Sequence, residues 1–130
     1  MRIEKLAELF LIMQFDKMNT ELLLQEFSDE KFVQDTINQI CKDFYRCGWD
    51  IDSDLFQGKL TKDEIEELIA EKLVEIMKIG ETQLLQLIYL IDIPEKEFLS
   101  ITPESNFPQL LAEKILLKEA YKIYLRGKFS

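Results

Sequence analysis

Apolar residues in this chain recur at steps of three and four, the spacing that lines one face of a helix. Ile3, Leu6, Ala7, Phe10 and Met13 start the pattern and predict a helix from Arg2 to about Met18. Leu9, Leu11, Ile12 and Phe15 widen its apolar surface, so contacts on two sides are expected. A polar interruption, Asp16 to Glu21, follows. Either Asn19 or Thr20 caps a new short helix through Phe27, or one helix runs straight through.

The next stripe is more regular. Phe32, Val33, Thr36, Ile37, Ile40, Cys41 and Phe44 predict a helix over about Asp29–Cys47. Ser28 is the expected N-cap, with Asp29 and Glu30 near the positive end of the helix dipole. Gly48 supplies a left-handed stop, and Trp49 can fold back on the last turn. A further helix is signalled by Thr61 and Glu64, which form a capping box, and by Leu60 and Ile65, which occupy the positions of a hydrophobic staple. It should run from Lys62 to Ile79 and stop at Gly80, with Ile65, Leu68, Ile69, Leu73, Ile76 and Met77 facing the core.

Beyond Gly80, ETQLLQLIYLIDI is apolar almost all round, the pattern of a central helix buried on most sides. Pro94 suits the first turn of a short helix, PEKEFLSI. Thr102 to Phe107 reads as a loop. Pro108 opens a last helix, capped by Asn106 or Phe107, that runs to about Leu125 and stops at Gly127. No convincing alternating strand interrupts the series. The expected fold is all-α, a single-domain helical bundle of five to seven helices with short loops over residues 1–130.

Composition narrows what such a bundle can do. Apolar residues make up 47% of the 130, enough for a real core. There is no histidine, which removes Ser-His-Asp and Cys-His nucleophile sites and any His-ligated metal. The net charge of −9 opposes binding to nucleic acid or to an anionic membrane, and suits a basic partner. Cys41 and Cys47 sit about 9 Å apart along one helix and on different faces, which no disulfide spans. They read as reduced, buried thiols, and they lack zinc-knuckle spacing. No export signal or membrane span is visible, so the expected location is the cytoplasm.

Two places carry candidate chemistry. The first is WDIDSDLFQG, from Trp49 to Gly58, where Asp50, Asp52 and Asp54 alternate like the start of a calcium loop. An EF-hand then needs Gly at position six and a bidentate Glu at position twelve. Those positions hold Leu55 and Thr61, so no metal is expected. Trp49 and Phe56 beside three carboxylates suit either a contact surface or the closing of helix ends.

The second place is the last helix, whose Lys114, Lys118, Lys122 and Arg126 repeat every fourth residue. From Pro108 onward the chain is +3, leaving −12 for the rest. At 3.6 residues per turn the basic stripe drifts by about 40° per step. Glu64, Glu67, Glu71 and Glu75 make an acidic stripe on the Lys62–Ile79 helix. The two stripes can pair within a chain or across a dimer, or each can be a solvated flank.

No phosphate-binding loop, nucleophile elbow or dinucleotide fingerprint is present. The expectation is a small acidic protein without catalysis or cofactor, acting through protein–protein contacts. Apolar positions cover more than one face of the first and last helices, which predicts a homodimer. The runner-up is an inhibitor of a basic partner, of the immunity-protein, antitoxin or nucleic-acid-mimic type. A carboxylate-based enzyme comes third; it would need two close carboxylates with raised pKa values in a deep pocket.

Overall fold

A computed structural model of the chain describes residues 20–51, 58 and 60–129. The helix expected over Arg2–Met18 lies outside the described residues, as do Asp52, Asp54 and Phe56. Six helices are described: α1 (Thr20–Glu26), α2 (Glu30–Arg46), α3 (Lys62–Ile79), α4 (Glu81–Ile91), α5 (Glu95–Ile101) and α6 (Phe107–Phe129). No strand occurs among the described residues, and the helices pack on one another as an all-α bundle.

Local chemistry sets the ends of these helices. Asp29 caps α2, its carboxylate accepting from the backbone N–H groups of Lys31 and Phe32. Ser28, the expected cap, instead donates its hydroxyl to the Gln25 carbonyl and closes the turn after α1. At the other end Gly48 takes φ +88°. The N–H of Gly48 reaches the Tyr45 carbonyl at 2.9 Å and that of Trp49 the Phe44 carbonyl at 2.9 Å. That doubled bond is the Schellman stop. Thr61 and Glu64 make the reciprocal capping box at the start of α3. Leu60, half-buried, packs on the main core, to which the fully buried Ile65 belongs.

Which helix is central differs from the expectation. α4 buries Leu84, Leu87, Ile88 and Ile91, but Tyr89 is 76% exposed, so one side faces solvent. Eleven residues give about three turns, too short to meet every neighbour. The 23-residue α6 does so and packs against each of the other five helices. Leu111, Ala112, Ile115 and Leu116 in its first half belong to the main core. Ala120 and Tyr121 form a smaller core with Leu23 of α1 and Phe32 of α2. Of the apolar surplus along α6, Leu111, Ile115, Leu116 and Tyr121 are buried within the chain, whereas Leu110, Leu117, Ile123, Tyr124 and Leu125 are only partly buried.

Two smaller differences follow the same logic. Met77 was expected in the core, but it points outward at 39% exposure, while Ala70 is buried in α3. Gly127 does not stop α6, which continues to Phe129. A glycine ends a helix when it turns left-handed, and Gly127 keeps a negative φ.

Candidate functional site

The basic stripe on α6 proves to be three different things. Lys114 and Lys118 are half-buried, and Arg126 is exposed. Lys122 turns inward. The drift of the stripe around the helix has by then brought it over α2, where its Nζ lies 3.4 Å from Oδ2 of Asp43. The same Nζ sits 2.8 Å from Oε1 of Glu119, one turn back on α6. Gln39 completes the group, its Nε2 donating to Oδ1 of Asp43 at 3.0 Å. Among the described residues no ion pair joins Lys114 or Lys118 to the acidic stripe of α3. Glu64 is engaged in its own cap and Glu75 pairs with Lys72.

This cluster sits deep. Glu119 is 0% exposed and Asp43 is 2% exposed. Lys122 is ion-paired with Glu119, yet neither oxygen of this fully buried carboxylate accepts a well-formed hydrogen bond. A buried carboxylate left so is costly, and the group takes up a proton instead. Burial, joined by the hydrogen bond to Asp43 and its charge, pushes Glu119 up to about 8, with Lys122 opposing. Once protonated, Glu119 becomes a donor, and Asp43 is its acceptor. Burial also pushes Asp43 upward, but hydrogen bonds from Glu119, Gln39 and Lys122 and the lysine charge outweigh it and hold Asp43 below the usual carboxylate range. The result is one neutral acid and one carboxylate, sharing a lysine.

Two carboxyls separated in this way could form an acid–base couple if substrate could reach them. Here the walls are closed. An open groove of about 970 Å³ runs alongside, between α2 and the end of α6. Its lining includes Gln39 but neither carboxyl group. Phe32, Ile123 and Tyr124 give it apolar and aromatic surface, and Asp35, Lys42 and Arg126 stand among its charged residues. The cluster thus braces the two walls of the groove from behind.

The sequence carries a signal for this cluster in its apolar stripes. Glu119 continues the core stripe Ala112, Ile115, Leu116, so an acid was due to be buried there. Gln39 and Asp43, four residues apart, interrupt the apolar face of α2 in the same way.

The link after Gly48 was the other candidate. Trp49 is half-buried against the main core, with Ile51 buried beside it, whereas Asp50 is exposed. Among the described residues no group of three His, Cys, Asp or Glu side chains could hold a metal. Cys41 and Cys47 are free thiols, half-buried rather than fully buried. Burial is the chief cause raising the pKa of each, which leaves them poorly nucleophilic. Among the described residues no helix is long and apolar enough to cross a membrane.

Compared with protein families, with curated proteins and with solved structures, the chain matches none.

Proposed function

We propose that this chain is a non-catalytic, cytoplasmic protein-binding domain that docks a protein segment in the groove between α2 and the end of α6. The groove lining carries the reading. Phe32, Ile123 and Tyr124 lie in it together with Arg126 and Lys42. Aromatic side chains and arginine are the types that dominate binding energy at protein interfaces. The buried Asp43–Lys122–Glu119 group behind it fits a role in fixing the walls rather than in turnover.

Arg126→Glu combined with Lys42→Glu tests the reading, since both side chains are exposed and the fold should survive, as circular dichroism would show. Crosslinking in a cell extract should recover a partner with the wild type and lose it with the double variant. Crosslinks that persist unchanged in a folded variant would sink the proposal. A second copy of the chain is one candidate occupant. Light scattering at micromolar concentration should then give a dimeric mass that becomes monomeric in the variant.

A second reading, an inhibitor of a basic partner, is favoured by a separate observation. The carboxylates of α3 gather on its solvent side, where Asp63, Glu67 and Glu71 are all exposed.

A further inference from the structure

The solvent side of α3 is more than a charged flank. Val74 at 37% and Met77 at 39% exposure lie on it, above the buried Ala70. These three residues follow one another at steps of four and three, so they form a continuous apolar seam along the helix. Glu67 and Glu71 border that seam, and a groove of about 370 Å³ opens between it and Gln109 at the start of α6. Asp63 and Glu66 stand at its upper end. Lys62 neutralises Glu66. Asp63, Glu67 and Glu71 have no cation paired with them among the described residues.

We infer that this seam of α3 is a docking surface for a basic amphipathic helical segment of another protein. The inference rests on the second reading above and gives it a site and a partner chemistry. Charge complementarity selects the occupant. Three uncompensated carboxylates repeat every fourth residue, about 6 Å per step along the axis. Lysines or arginines at the same repeat on a partner helix meet them one for one. The partner's apolar side chains then cover Val74 and Met77. An acidic or neutral helix would bury the same seam beside unpaired carboxylates, at a cost in desolvation. The surface is small against a standard interface, so a micromolar affinity, about 1 μM, is expected for an isolated segment.

The test uses the full chain and a labelled synthetic 18-residue peptide with a leucine seam flanked by lysines. A second peptide has the same composition scrambled so that no seam forms. Fluorescence anisotropy should show the amphipathic peptide binding at least tenfold tighter than the scrambled one. Glu67→Lys with Glu71→Lys should weaken it tenfold or more. Glu81→Lys with Glu95→Lys changes the net charge equally at exposed sites elsewhere, and should weaken it less than twofold. Val74→Asp should weaken it at constant basic charge on the peptide. Equal binding of both peptides, or equal loss with both charge-reversed pairs, would reduce the effect to bulk charge and overturn the inference. Loss of the α2–α6 groove partner through Arg126 and Lys42 is a separate readout, so either proposal can fail alone.

Discussion

Glu119 holds its proton in the folded chain and releases it in the unfolded one, and that difference sets a pH dependence. Its folded pKa is raised from 4.5 to about 8. Stability from this group is therefore fully present below pH 4.5 and is lost as pH rises through about 8. At 1.36 kcal/mol per pH unit the loss is on the order of 3–5 kcal/mol. Asp43 works the other way. Its folded pKa lies below 3.8, so its contribution is present above that value and is lost as pH falls through the folded pKa. The pair together favours mildly acidic solution. Glu119→Gln keeps the shape and a donor for Asp43 but has no proton to lose. Urea midpoints should fall markedly between pH 5 and pH 8.5 in the wild type and much less in the variant. Parallel falls would show that the proton sits elsewhere. The residue types were visible in the sequence, since an acid in an apolar stripe is a conspicuous break. That Asp43 and Lys122, 79 positions apart, would meet there was not visible, because no local rule joins α2 to α6.

Helix ends obey short-range rules, and their effects can be measured singly. Thr61→Ala removes one half of the capping box on α3, and a loss of about 1 kcal/mol is expected in chemical denaturation. α4 ends on an aspartate, Asp92, held at φ 70°, where the left-handed backbone suits glycine better. Asp92→Gly should therefore leave stability unchanged or raise it by up to about 1 kcal/mol. The starts and stops of α2 and α3 were legible to within a residue because caps are made by neighbours in sequence. Gly127 shows the limit of such rules: nothing local told whether it would turn left-handed or remain in the helix.

At the level of the whole molecule, α6 joins the main core to the smaller one under α1. A cavity at its centre should therefore weaken every part at once. Leu116, fully buried, is the place to make one. Leu116→Ala should cost about 2–5 kcal/mol. Tryptophan fluorescence at Trp49 and helix circular dichroism should shift to the same lower midpoint. Separate transitions for the two probes would mean that α6 does not couple the cores.

By itself the sequence determined the helical class, most helix limits in the described chain, the cap at Thr61 and the stop at Gly48. These depend on hydrogen bonds and contacts within a few residues, where the chain has few alternatives. It also determined the acidic balance and the lack of histidine, which bound the chemistry. Tertiary structure decided which helix is central, because an apolar stripe says that something covers it and does not say what. It decided that Lys122 of the basic stripe goes inward while Arg126 stays out, and that Val74 and Met77 share a solvent face with the carboxylates of α3. Each of those outcomes depends on how helices distant in sequence pack, a sum of many weak contacts that no single residue encodes.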